Sequence, residues 1–162
     1  KKTMEERVKA QLEHCAGSRN LIFFMIDLDN FKDVNDTLGH AYGDKVLTEA
    51  AEKLKQVFPA KALIGRLGGD EFSVCASFDA FDLDNLTEYM TQKGDKLCDI
   101  LKEEYVSGDK SVQVSASIGI ASAPVDGEDF LTIYQKADKA LYLSKRSGKN
   151  RYNLFQHSAA DE

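Results

Sequence analysis

The run Leu21-Ile22-Phe23-Phe24-Met25-Ile26-Asp27-Leu28 constrains the fold more than any other stretch. It is apolar except at Asp27, too short for a typical helix and rich in β-formers, which predicts a central strand buried on both faces. Asp27 interrupts it at its carboxyl end, where an ionised group inside a core is costly without a partner. Either the strand has ended there and Asp27 faces water, or its carboxylate holds a cation. Asp29 falls on the same strand face as Asp27 and reads as support for it. A second acidic cluster favours the cation. Arg66-Leu67-Gly68-Gly69-Asp70-Glu71-Phe72 joins the apolar runs Ala62-Leu63-Ile64 and Phe72-Ser73-Val74-Cys75, the pattern of a β-hairpin with Gly-Gly at the bend. Alone, such a turn is ordinary hairpin chemistry with solvated acids. Two carboxylate-bearing strand ends in one small domain are what a metal-dependent phosphoryl or nucleotidyl transferase needs.

A chain of 162 residues makes one domain with a substantial core. Its net charge of −6 argues against a general binder of nucleic-acid polymers or membrane surfaces. A nucleotide site stays open, because a metal ion bridges acids to phosphates. The three cysteines, Cys15, Cys75 and Cys98, form no CxxC and read as buried, reduced thiols of a cytoplasmic protein. His14, His40 and His157 lack zinc-ligand spacing. There is no P-loop pattern, no signal-peptide pattern and no apolar run long enough to cross a bilayer.

The remaining elements follow from periodicity. Thr3-Met4-Glu5-Glu6 is a capping box opening a helix that Gly17 closes. Phe31 to Gly39 predicts a short helix and turn. Tyr42 to Phe58 predicts an amphipathic helix ended by Pro59. A long helix is expected within Phe81 to Tyr105, softly broken at Gly94, with an apolar stripe that reads as core. Val112 to Ile120 alternates like a strand with one wet face. Phe130 to Ser144 predicts another helix, ending in Lys145-Arg146-Ser147-Gly148-Lys149. Arg151 to Phe155 reads as a last edge strand and His157 to Glu162 as tail. Several candidate site residues have ordinary explanations at this level. Asp44 in a first helical turn suits the helix dipole, and basic residues at a helix C-terminus oppose it.

Together the blocks resemble the GGDEF domain, the catalytic domain of bacterial diguanylate cyclases. The matching pieces are Asp27-x-Asp29-x-Phe31-Lys32, Asn35-Asp36-x-x-Gly39-His40-x-x-Gly43-Asp44 and Arg66-x-Gly68-Gly69-Asp70-Glu71-Phe72. Ser117-Ile118-Gly119-Ile120 and Ala137-Asp138-x-Ala140-Leu141-Tyr142-x-x-Lys145-x-x-Gly148-Lys149-Asn150 follow in family order. The resemblance implies an α+β fold: a five-stranded, mainly antiparallel sheet flanked by helices, the palm-like core of class III nucleotidyl cyclases and some polymerases. It implies condensation of two GTP into cyclic di-GMP by a homodimer, with two Mg²⁺ or Mn²⁺ ions per half-site. Asp27, the Leu28 carbonyl, Asp70 and Glu71 would hold metal, with Asp70, Glu71 and Lys32 catalytic. Which of Asp70 and Glu71 acts as the base stays open. Asn35 and Asp44 would read guanine, joined by His40, which otherwise simply fixes the turn. Phe31, Lys32, Gly69, Lys145 and Lys149 would meet the phosphates, and Arg66 could reach a phosphate or a carboxylate. Where the family usually has Arg, Lys149 keeps the charge and loses the bidentate fork. The family's product-inhibition Arg-x-x-Asp is replaced by Pro59-Ala60-Lys61-Ala62, so no inhibitory site is expected. The family's usual leading segment is missing, which suggests a fragment of a longer sensor protein. The competing expectations are a GTP-binding sensor without turnover and a cyclase of altered base choice.

Overall fold

The structure is a computed structural model, described for residues 3–15 and 19–156. The tail from His157 and the Gly17 helix stop lie outside the described residues. The elements run α1 (Met4–Cys15), β1 (Asn20–Asp29), α2 (Phe31–Leu38), α3 (His40–Val57), β2 (Leu63–Gly68), β3 (Glu71–Phe78), α4 (Leu83–Leu101), β4 (Glu103–Ser107), β5 (Lys110–Ala123), α5 (Phe130–Arg146) and β6 (Arg151–Leu154). The capping box forms as expected. Thr3 N donates to Glu6 Oε2 at 2.8 Å, and Glu6 N donates to Thr3 Oγ1 at 3.3 Å.

The sheet has six strands rather than the expected five, in the order β2-β3-β1-β5-β4, with β6 alongside β5. All pairings are antiparallel except β5 with β6. The added strand is β4. Helix α4 stops at Leu101, and Glu103–Ser107 turns back on β5 through Gly108-Asp109, with Gly108 at φ 63°. Tyr105, which extends the helical stripe in sequence, is instead a buried strand residue whose hydroxyl donates to Glu49 Oε2 at 2.7 Å. Strand β5 also departs from its expected wet face. Its exposed positions end by Ser115, and Ala116 to Ala123 are buried, because β1 pairs along that half and α5 packs on it.

Alternation along β1 divides the core into two layers. Ile22, Phe24, Ile26 and Leu28 pack with Val34 of α2, Val46 and Leu54 of α3, and Leu86 and Leu97 of α4. Leu21, Phe23 and Met25 pack with Val8 of α1 and Ile133, Ala137 and Leu141 of α5. Helices therefore cover both sheet faces. The same parity sends Asp27 and Asp29 to the α5 side.

Two glycines set the helix spacing. Helix α4 runs unbroken through Gly94, where a Cβ would stand 2.5–2.8 Å from the Tyr152 ring. On β5, a Cβ at Gly119 would lie 2.9 Å from Leu141 Cα and closer still to the Ala137 carbonyl oxygen, both backbone atoms of α5. Backbone cannot swing aside as a side chain can. Gly119→Ala is therefore expected to destabilise the fold by about 1–3 kcal/mol, read as a lower urea midpoint at unchanged m-value.

Candidate active site

The carboxyl end of β1 and the β2–β3 turn are tied together by main chain: Leu28 N donates to Asp70 O at 3.2 Å. Gly69 takes φ 50° at the turn, and Arg66 Nε donates to the Gly69 carbonyl at 2.8 Å, bracing the bend rather than reaching outward. In the β1–β3 register Asp27 lies opposite Glu71, so their side chains share a sheet face.

Asp27 and Asp70 line the same cleft, close enough for the charge of one to act on the other. Burial first, then the Asp27 charge, with Glu71 adding, push the Asp70 carboxyl above the usual carboxylate range. Carboxylates pressed together this way favour a cation. The Lys145 ammonium, from the last turn of α5, is ion-paired with Asp27. Burial pulls the Lys145 ammonium down, but Asp27, Glu71 and Asp70 outweigh it and raise its proton affinity overall. Among the described residues, no three His, Cys, Asp or Glu side chains are preassembled as a metal centre. A divalent ion would rest on the Asp27–Asp70 pair, completed by main-chain oxygen or solvent.

A cleft of about 320 Å³ opens at this junction. Its walls bring together Asp27, Leu28, Asp70, Phe31, Lys32, Lys145 and Lys149, most of the residues singled out from the sequence. Helix α2 starts here from Asn30, which sits at φ 66° and makes no side-chain cap, so the first-turn N–H groups remain available to an anion. Glu71 lines a neighbouring cavity of about 430 Å³ along α5, with Lys145 common to both. Gly69 is exposed at the hairpin and is not part of the cleft wall. Asn35, His40 and Asp44 stand apart from the cleft as well. Asn35 is one turn beyond Phe31 on α2, while His40 and Asp44 open α3, both exposed.

The sequence understates Asp29. It is 5% exposed and accepts from Ser115 Oγ at 2.7 Å, Ser117 Oγ at 2.7 Å and Asn150 N at 3.0 Å. That last bond holds a backbone run that is hard for L-residues: Gly148, Lys149 and Asn150 all have positive φ, at 115°, 61° and 46°. Lys149 is presented to the cleft from this run. The Gly148-Lys149-Asn150 composition was the available signal, since Gly and Asn tolerate such angles.

A helix–sheet–helix domain whose acidic strand ends open onto a cleft lined by both aspartates and lysines defines an α+β domain of the nucleotidyl cyclase palm type. A family profile described as "Diguanylate cyclase, GGDEF domain" matches residues 1–151, and the chain belongs to the GGDEF family. The signaling protein YkoW of Bacillus subtilis is 37% identical over 146 residues, which is 88% of this chain and 17% of that protein. Diguanylate cyclase A of Treponema denticola is 36% identical over 140 residues, 85% of this chain and 36% of that protein. The crystal structure of the GGDEF domain of YfiN (TpbB) from Pseudomonas aeruginosa superposes with a TM-score of 0.83 at 29% identity, covering 95% of this chain and 94% of that one. The chain thus spans only 17–36% of the length of the curated relatives it matches. No helix among the described residues is long and apolar enough to cross a membrane.

Proposed function

We propose that this domain condenses two GTP molecules into cyclic di-GMP with release of two pyrophosphates, as a homodimer in the cytoplasm. The observation that carries the reading is the Leu28–Asp70 main-chain tie, which brings the acids of two strand ends to one cleft beside Lys32, Lys145 and Lys149.

Asp27, Asp70 and the Leu28 carbonyl fit a Mg²⁺ or Mn²⁺ ion, with Glu71 placed toward a second. Such ions supply charge stabilisation to the attacking and leaving oxygens of a phosphoryl transfer. The residues do the rest. Lys145 sits on Asp27 in the free domain and passes to the triphosphate when nucleotide enters, joined by Lys32, Lys149, the first-turn N–H groups of α2 starting at Phe31, and the turn at Gly69. Asn35 and Asp44, with His40 beside them, read guanine; Asp accepts from the N1–H and N2–H edge and Asn both donates and accepts. Asp70 takes the 3′-hydroxyl proton, or Glu71 does so from the adjoining cavity. The 3′-oxygen then bonds to the α-phosphorus of the GTP held by the second copy, and the bond from that phosphorus to the β-phosphate bridging oxygen breaks. Pyrophosphate leaves with the electron pair. The same step repeated closes the ring. One cleft holds one GTP, so turnover needs two domains face to face. An N-terminal sensor in the longer protein would set how often they meet. The net charge of −6 argues against a nucleic-acid polymer or a membrane surface as partner.

Incubating the domain with GTP and Mg²⁺ over a wide protein-concentration range tests this. Cyclic di-GMP is expected, at a rate per domain that rises with concentration. With Pro59-Ala60-Lys61-Ala62 in place of Arg-x-x-Asp, added cyclic di-GMP should leave the initial rate unchanged. GTP binding without product at every concentration, even when the domain is fused to a strong parallel dimeriser, would instead establish a nucleotide sensor.

A further inference from the structure

Helices α2 and α3 meet at a tight corner around Gly39, which takes φ 95°. Gly39 N donates to the Asn35 carbonyl at 3.1 Å, and Gly43 N donates to the Gly39 carbonyl at 3.2 Å. The corner lays the last turn of α2 against the first turn of α3. At the contact, the Asn35 side chain occupies the space a side chain at Gly43 would fill. A Cβ on Gly43 would stand 3.4 Å from Asn35 Nδ2, 3.0 Å from Asn35 Cγ, and nearer still to Asn35 Oδ1. Gly43 is buried, and the next residue along α3 is the exposed Asp44. Gly43 carries no positive φ, so its backbone does not require glycine. Helix propensity at this position favours Ala. The corner itself is closed by main-chain bonds that a methyl group at Gly43 leaves intact.

We infer that Gly43 is a positioning residue for guanine recognition: its missing side chain forms the slot that seats the Asn35 amide against the first turn of α3, one residue before Asp44. This deepens the proposed function and rests on the reading that Asn35 touches guanine. A methyl group at position 43 would turn the Asn35 amide out of the slot, since χ1 and χ2 rotation of Asn is the easiest way to relieve the clash. The amide would then no longer rest against the first turn of α3, and base recognition would lose one of its groups. Glycine at this position gives up helix propensity and keeps that slot open.

The test uses 3′-deoxy-GTP with Mg²⁺ as the binding probe, because it lacks the attacking hydroxyl and cannot cyclise. Binding is measured by calorimetry for the wild type, Gly43→Ala, Asn35→Ala and the double variant, with thermal unfolding alongside. Gly43→Ala is expected to unfold at the same or a higher temperature, yet to bind the probe about tenfold more weakly, the scale of one lost hydrogen-bonding group. Asn35→Ala should weaken binding by a similar factor. The double variant should be no worse than Asn35→Ala, because both changes remove the same contact. In turnover, KM for GTP should rise far more than kcat falls. If Asn35→Ala weakens binding and Gly43→Ala does not, the slot is refuted while guanine recognition by Asn35 stands. If Gly43→Ala weakens binding further in the Asn35→Ala background, Gly43 acts by another route and the inference is also refuted. If Asn35→Ala leaves binding unchanged, the guanine reading itself has failed.

Discussion

Asp70→Asn is expected to lower cyclic di-GMP formation by about a thousandfold or more, the scale of losing a general base together with a ligand of the required ion. The same change should not harm the metal-free fold. Burial, Asp27 and Glu71 disfavour the Asp70 charge, so the folded domain binds its proton more tightly than the unfolded chain does. With the folded value raised above the ordinary 3.8, this group's unfavourable contribution is absent below 3.8 and grows as pH rises through the raised value. Above that window the cost is fully present. The wild type should therefore lose stability relative to Asp70→Asn as pH rises across it, and the variant should melt at an equal or higher temperature at neutral pH without divalent ions. Added Mg²⁺ or Mn²⁺ should raise the wild-type midpoint, increasingly so as pH climbs through the same window, and should leave the variant unmoved. A variant still stabilised by the ion as strongly as the wild type would remove Asp70 from the metal site.

Asp29→Ala carries the second large effect, on stability and binding together. It removes the acceptor for two serine hydroxyls and one backbone N–H at a position 5% exposed. Ser115 is partly exposed and can turn its hydroxyl to water, whereas Ser117 is fully buried. The Asn150 N–H cannot turn, because it is fixed in a run of positive φ angles. A loss of about 3 kcal/mol is expected, that of a charged acceptor removed from buried donors, measured by urea denaturation. Lys149 loses the anchor of its turn, so KM for GTP should rise while kcat changes less. Asp29→Asn keeps the size and one carbonyl oxygen but turns an amide N–H₂ toward a donor, so it should fall between the two. Unchanged stability in Asp29→Ala would mean that the turn holds itself.

Most of the architecture was legible because the strongest patterns coincide with the strongest burial. The apolar run at Leu21–Leu28 is the central strand, with Ile22 and Phe24 at 0% exposure. The capping box, the Gly-Gly hairpin and helices α3 and α5 were written in local spacing. Strand β4 was not read, for a local reason. Glu103-Glu104-Tyr105-Val106-Ser107 follows a helical stripe without interruption, and its charges fit an edge strand as well as a helix end. Gly108-Asp109 before Lys110 was the hairpin signal. The wet face expected of β5 failed for a tertiary reason: alternation shows which side chains are polar, and α5 and β1 decide which of them water reaches.

By itself, the sequence determined which polar and charged side chains the domain brings: acids at two strand ends, three lysines, and an Asn and an Asp flanking a predicted turn. These follow from residue types and short-range periodicity, which act within a few positions. Only the tertiary structure decided how they combine. Asn150 meets Asp29 across 121 positions of chain, and Ser117 meets it across 88. Parity along β1 aims Asp27 at the end of α5, where Lys145 neutralises it, and the β1–β3 register sets Glu71 beside Asp27, where it lines the neighbouring cavity. Gly43 reads as an ordinary helix residue until α2 lays Asn35 against it. Such contacts depend on which faces pack together and in what register, and a hydrophobic pattern specifies that a face is buried without specifying which side chain of a distant element will be found there.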